Sequence, residues 1–395
     1  MGILFAGYTY IRDGYRKTFS HYPDSDQLFF LLPHEWKARG GKVVFKTADS
    51  HNIFKTKIFF FHSHYPVIGG LLKGWMPAFP LIVRRLKRDK HLKLVFSFSE
   101  PTILVTLYNG LWAKFFGLKF IMFSWENVAA NLNFKGFKGF IRKIIVKINL
   151  FLADGLICGN RKGKNIYSKL TVKPIVVIPP FGLDSEFFKR EPKEKHFDGY
   201  NLSDNIVFTF AGAIAPRKGI PGLLEAFKDV VAAVPNVRLV LVGNDETEGE
   251  IDRLIKEKYE LGNHVLLKKW LSHDQLRDLL SVSDVFVYPS VSYKGWEEQF
   301  GYSMAEASLM ELPVISTRLG SIEDVVISGK TGILVKPGNV SELSQSMISL
   351  AKNDKLRKEL GQNGRQFIID KFSQQIIAAK FYNFFNLLLN GRQKN

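Results

Sequence analysis

An apolar run, Val285-Phe286-Val287-Tyr288, ends in the turn Pro289-Ser290 and leads to two acids, Glu298 and Glu306, with seven residues between them. Behind Gly301, the positions Met304, Ala307 and Met310 fall at helical spacing. This predicts a helix starting near Gly301, with Glu298 in the loop before it and Glu306 in its second turn. The first N–H groups of such a helix, near Phe300, Gly301 and Tyr302, find no acceptor inside it. A bare helix start with a close-approach glycine suits a phosphate or diphosphate. Carboxylates on either side of that anion would accept from hydroxyls, and a phosphate flanked by hydroxyl-rich groups describes a nucleotide sugar. The same residues also fit a solvated helix start with Glu306 merely exposed.

The surrounding pattern is that of parallel α/β units. Ile206–Phe210 reads as a strand followed by Arg217-Lys218-Gly219 before a helix, so two cations sit where the carboxyl edge of a sheet is expected. There they would neutralise a diphosphate leaving group, each charge-assisted hydrogen bond being worth about 1.5–3 kcal/mol; a surface Arg-Lys pair is the alternative. Strands and helices then alternate through 237–242, 248–261, 264–269, 272–281 and 284–288. The chain is expected to be helical from Val340 to Leu389, with the apolar end Phe381–Leu389 able to dock. Gly2–Gly7 reads as a buried first strand. A polar-aromatic loop is expected over Tyr8–Asp26, and a helix over Gln27–Arg39 that stops at Gly40-Gly41. Further strands are expected at 42–46, 57–61, 93–97 and 119–123, the last ending in Ser124-Trp125-Glu126-Asn127.

Pro289-Ser290, Glu298-x-Phe300-Gly301, Glu306-Ala307, Pro313-Val314-Ile315, Gly320, Asp324 and Lys330-Thr331-Gly332-x-Leu334-Val335 together resemble the signature of the retaining glycosyltransferase family four. The resemblance covers about residues 2–372, densely after Ile206 and thinly before Ala153. It implies the α/β GT-B fold, two Rossmann-like doubly wound domains facing across a cleft, with the C-terminal helix crossing back to the first. It also implies a metal-independent enzyme without a cofactor, which moves a sugar with retention from a nucleotide-diphosphate sugar to a glycan or lipid-linked acceptor. A nucleotide-sugar epimerase or hydrolase, or a non-catalytic nucleotide-sugar-binding protein of the same fold, is the alternative.

Carried over residue by residue, the resemblance gives Glu298 the donor-sugar hydroxyls and Glu306 the ribose. The amides of Phe300, Gly301 and Tyr302 receive sugar and phosphate, while Arg217 and Lys218 receive the departing diphosphate. Gly243 matches a donor-site glycine. Trp270-Leu271 stands where backbone groups usually meet the base, although Trp270 as a core residue fits equally. Gly7 and Gly14 are candidates for the glycine loop that faces donor phosphates and acceptor, with Arg16 and Lys17 as phosphate partners or solvated cations. Many relatives carry a donor-contacting histidine near the strand end at 123; this chain has none, and Glu126, with Trp125 for stacking on a sugar ring, is the polar candidate there. Glu126 capping the next helix is the alternative.

At 395 residues the chain fits two domains. The expected boundaries are 1–185, a linker at 186–204, a nucleotide-sugar domain at 205–372 and a docking helix at 373–395. The net charge of +18 is lodged entirely in the first half: residues 1–185 hold 28 basic and 10 acidic side chains, residues 186–395 hold 27 of each. Such asymmetry suggests an anionic partner. No nucleic-acid motif is evident, and the segment Phe134–Leu152 is amphipathic and basic. It reads as a helix packed on the sheet with a basic outside, or as a docking surface for an anionic membrane, helped by Leu81–Lys90. His62-Ser63-His64 lacks nearby acids or cysteines to complete a metal shell and reads as a loop. The single cysteine, Cys158, excludes an intrachain disulfide framework and fits a reducing cytoplasm. No signal peptide and no spanning run of about 18 apolar residues is evident, so a cytoplasmic protein, peripheral on the inner face of the membrane, is expected.

Overall fold

The structure, a computed structural model, describes residues 1–38, 41–44, 51–61, 70–129, 136–191 and 194–391. His62-Ser63-His64, the expected helix stop at Gly40 and residues 134–135 of the basic amphipathic segment lie outside them. The chain forms two compact units, residues 1–182 with 374–395, and residues 183–373. Among the described residues no helix is long and apolar enough to cross a membrane.

In chain order the first unit comprises β1 (Gly2–Ala6), α1 (Asp13–Arg16), β2 (Leu28–Pro33), β3 (Glu35–Ala38), β4 (Gly41–Val44), β5 (Ile53–Thr56), α2 (Phe79–Lys90), β6 (Leu92–Ser97), α3 (Leu104–Phe115), β7 (Lys119–Ser124), α4 (Gly136–Leu152), β8 (Gly155–Cys158), α5 (Arg161–Tyr167) and β9 (Ile175–Val177). Seven strands make a parallel sheet in the order β5-β2-β1-β6-β7-β8-β9, and β3 pairs antiparallel with β4 outside it. The order reverses between β1 and β6, so the loops after these two strands splay apart and open a crevice at the carboxyl edge.

Three expectations are corrected here. The helix expected over residues 27–39 does not form at residues 28–38: Leu28–Pro33 is a strand with all six positions buried. A short apolar run buried on both sheet faces has no period of its own, and its aromatic content with Pro33 at its end decides for strand. The strand expected at 57–61 lies instead at Ile53–Thr56; the one expected at 42–46 is present as β4, half of the separate hairpin. Residues 8–26 are a chain of short helical turns with Tyr10, Phe19 and Tyr22 buried.

The second unit opens with a hairpin, β10 (His196–Phe197) and β11 (Tyr200–Asn201), in the stretch expected to be linker. There follow β12 (Ile206–Ala211), α6 (Ile220–Ala233), β13 (Val237–Val242), α7 (Glu250–Arg253) extended by one π-helical turn, β14 (Val265–Lys268), α8 (His273–Val282), β15 (Val285–Tyr288), α9 (Tyr302–Leu309), β16 (Val314–Thr317), β17 (Gly332–Val335), α10 (Val340–Lys352) and α11 (Asp354–Phe372). Six parallel strands run β14-β13-β12-β15-β16-β17, reversing between β12 and β15. Helix starts are set locally: Ser272 and Gln275 form a capping box on α8, and the Asn339 side chain accepts from Glu342 N–H on α10.

The last helix, α12 (Gln374–Asn390), belongs to the first unit. Its Phe381 and Phe385 rings lie 6.0 and 5.8 Å from that of Phe5, which also meets Phe19 at 4.6 Å and Phe96 at 5.3 Å. The first unit's core is completed by the end of the chain. Burying two phenylalanines contributes roughly 1.5–3 kcal/mol each, before any edge-to-face gain.

Candidate functional site

The sharpest chemistry of the second unit lies where its strand order reverses. After β12 the chain turns through Pro216-Arg217-Lys218 to Gly219, which takes φ 69°. A side chain at Gly219 would overlap the Pro289 carbonyl, so only glycine lets this turn lie against the end of β15. Val291 N–H donates to the Arg217 carbonyl at 3.0 Å and fixes the two loops together. The result brings Lys218 Nζ to 2.5 Å from Glu298 Oε2, both side chains under a tenth exposed. Lys218 also donates to the Tyr288 hydroxyl, and the Ser290 hydroxyl lies 3.4 Å from Glu298 Oε2. Glu298 is held from behind, since Gly320 (φ 59°) passes so close that a Cβ would strike the Glu298 carbonyl, and Ser321 N–H donates to that carbonyl at 2.8 Å.

Burial pushes the Lys218 ammonium down, against the pull of Glu298, and burial followed by the Glu298 charge holds the Tyr288 phenol well above its usual range. Arg217 is half-buried beside Glu246, Nη1 to Oε2 at 2.9 Å. Both cations lie over the Trp296 ring, Arg217 at 5.5 Å and Lys218 at 4.9 Å from its centre.

The expected helix start is present. Gly301 (φ 83°) caps α9, and Glu306 lies in its second turn. The Phe300 ring is buried against Phe372 at 5.1 Å, leaving its backbone as the part able to serve a ligand. Glu306 is partly buried, accepts no hydrogen bond at its carboxyl among the described residues, and is pushed up to about 8 by burial. An acid in that condition gains from a hydroxyl donor. Gly243 ends β13 so close to Gly212 that a Cβ would overlap the Gly212 carbonyl. Past β14, Trp270 is 64% exposed, so it is no core residue, and Leu271 is partly buried beside it. A separate cavity of about 220 Å³ backs on the same turn at Pro216 and Gly219, but its other lining, such as Val291, Val340 and Leu343, includes none of these acids.

In the first unit the reversal between β1 and β6 opens a cavity of about 130 Å³ lined by Gly7, Tyr8, Lys73, Glu100 and Trp125 among others. Glu100 is its acid: Ser124 Oγ donates to it at 2.6 Å and Trp125 N–H at 2.7 Å, and burial pushes it up to about 7. Tyr8 stacks on Trp36 at 3.7 Å with Lys73 above the Tyr8 ring at 5.2 Å. Glu126 instead accepts from the N–H groups of Asn127 and Val128, closing its own loop. Arg16 is turned inward to Asp13 (2.7 Å) and the Tyr10 carbonyl, and Gly14 lies in α1 with open space around it. Sequence reasoning missed Tyr288, Trp296, Glu246 and Glu100. A charged residue at the end of a strand was the available signal for Glu100. Among the described residues no group of three or more His, Cys, Asp or Glu could hold a metal ion.

The Glycosyl transferases group 1 family profile matches residues 192–367. The chain is 32% identical over 263 residues to the capsular polysaccharide biosynthesis glycosyltransferase CapM of Staphylococcus aureus, covering 65% of this chain and 67% of that protein. It is 27% identical to the lipopolysaccharide 1,2-N-acetylglucosaminetransferase of Salmonella typhimurium, over 55% of this chain and 58% of that one. Among solved structures, Anabaena HepE in complex with UDP superposes with a TM-score of 0.73 at 16% identity, covering 98% of this chain and all of the other. Two parallel Rossmann-like sheets of this kind make the GT-B fold of sugar-transferring enzymes. The chain belongs to the glycosyl transferases group 1 family and is a glycosyltransferase.

Proposed function

We propose that this glycosyltransferase belongs to family four and moves a sugar, with retention of configuration and without a metal ion, from a nucleotide-diphosphate sugar to a glycan or lipid-linked acceptor. The observation that carries the reading is the Lys218–Glu298 pair, closed at 2.5 Å and nearly dry, beside the start of α9. A buried ion pair is a poor source of stability, because desolvating two charges offsets most of their attraction. Its presence at a sheet's switch point is better explained by a ligand that uses both partners. Lys218, with Arg217, takes the diphosphate charge as the glycosidic bond breaks; Glu298 accepts from hydroxyls of the transferred sugar; the first amides of α9 meet the phosphate. Glu306 accepts from the ribose, and the backbone at Gly243 and Trp270-Leu271 meets phosphate and base.

In this reading the acceptor hydroxyl attacks from the face the diphosphate leaves. A departing phosphate oxygen takes its proton, so no protein base is required. Support for the donor class comes from HepE, whose solved forms include complexes with UDP and with UDP-glucose. The first unit offers the acceptor side through its Glu100–Trp125 cavity. The test is turnover of UDP-, GDP- and ADP-sugars in EDTA with the anomeric configuration of the product followed by NMR. Undiminished turnover with the donor's configuration preserved is expected; dependence on a divalent ion, or inversion, overturns the reading.

A further inference from the structure

α4 is apolar on both faces. Toward the unit it buries Ile145, Val146, Asn149 and Leu150, with Asn149 Nδ2 donating to the Pro101 carbonyl at 2.8 Å. Outward it presents Phe140, Ile144, Ile148 and Phe151, spaced four, four and three residues apart and therefore stacked along one side. The basic-outside arrangement read from the sequence is thus replaced by one in which isoleucines and phenylalanines share the outside with Lys143 and Lys147. The neighbouring α3 adds Leu111 and Phe115, and Phe115 and Phe151 are 75% and 79% exposed. Lys173 lies 5.7 Å over the Phe151 ring and donates to the carbonyls of Phe151 and Ala153, which sets the fully exposed Val172 beside the end of α4.

Large apolar side chains bared together, rather than scattered singly, mark an interaction surface. Its charge says which kind. Residues 101–154 hold seven Lys or Arg and two acids, Glu126 and Asp154, the latter paired with Lys114 and Lys119. Lys87 Nζ donates to the Phe116 carbonyl at 2.6 Å, placing the basic end of α2 next to Phe115. A second copy of the chain docking here by two-fold symmetry would set this cationic field against itself. An anionic lipid surface instead satisfies both components, taking the phenylalanines among its acyl chains and the lysines among its headgroups.

We propose that the outer face of α4, with Leu111 and Phe115 of α3, docks the first unit onto a bilayer containing anionic lipid. The amino end of α4 follows the loop after β7, which carries Trp125, so the docked face leads toward the edge at which the Glu100 cavity opens. The proposal uses none of the donor residues of the second unit, and its test is independent of them.

The test is flotation of the full-length chain with vesicles of phosphatidylcholine alone or with about a third phosphatidylglycerol, at low and high salt. Wild type is expected to float with the anionic vesicles at low salt only. Phe115→Ser with Phe151→Ser, and separately Lys143→Ser with Lys147→Ser, should each weaken binding by about tenfold or more. Circular dichroism and the thermal shift produced by UDP should be unchanged in both variants, all four side chains being exposed. Absence of wild-type binding, or equal binding by the phenylalanine variant, overturns the proposal. So does a wild-type dimer in light scattering that the phenylalanine variant dissolves, since the face would then join copies of the chain.

Discussion

Lys218 and Glu298 depend on each other in a way that separates their chemical and structural roles. Removing either alone leaves the other charged and buried, at a cost of roughly 3–5 kcal/mol. Removing both with uncharged side chains of similar size should return much of that. We therefore expect Lys218→Met and Glu298→Gln each to lower Tm by several degrees, and the double variant to recover most of the loss without regaining turnover, as read by calorimetry and diphosphate release. A double variant as unstable as the worse single one would show that the pair is not the coupled unit described. Glu306 gives a pH signature. Its carboxyl sits at about 8 against an ordinary 4.5, so the folded protein holds this proton more tightly than the unfolded chain. The stability it confers is full below about pH 4.5 and is lost as pH rises toward 8. Glu306→Gln should accordingly melt higher than wild type at pH 8.5 and no higher at pH 4.5. In the proposed donor site, hydroxyls of a ribose favour the carboxylate and release its proton, so donor affinity should rise with pH through the interval below 8 in wild type and stay flat in Glu306→Gln.

At the scale of elements, α9 was legible because its determinants are local: a glycine at its start, an acid in its second turn and apolar residues at period 3.6. Gly301 at φ 83° faces the Met304 methyl so closely that a Cβ would overlap it. Gly301→Ala is expected to cost about 1–2 kcal/mol in stability and to weaken nucleotide binding more than Gly249→Ala, a positive-φ glycine with open space around it; equal effects on binding would remove the helix start from the site. The cation turn was legible for the same reason, a short strand-to-helix loop. What was not legible depends on partners distant in sequence. β2 shows no period because both its faces are covered by the rest of the unit. Trp296 reads as one more loop aromatic until two cations 78 and 79 residues earlier fold over it. In α4 the hydrophobic pattern shows an apolar stripe but not which side of the helix α3 covers.

At the scale of the molecule, the first unit is built from both ends of the chain. Phe381, without exposure, sits among Phe5, Phe19 and Phe96, and Phe381→Ala should cost about 3–5 kcal/mol, felt in the unfolding of the first unit. Unfolding of the second unit, residues 183–373, should be unmoved in the same calorimetric scan, and a shift there instead would contradict the division into units. Each unit has a crevice where its strand order reverses, and the two differ in kind: paired charges in the second, a shielded acid with aromatic walls in the first. The most direct measurement is a calorimetric titration of UDP, GDP and ADP and of their monophosphates, in EDTA, into wild type and into the Lys218→Met, Glu298→Gln double variant. The account predicts that wild type binds one of the diphosphates and binds its monophosphate at least about tenfold less tightly, a difference of 1.4 kcal/mol, and that the folded double variant loses this preference. The same diphosphate affinity in both proteins would contradict it.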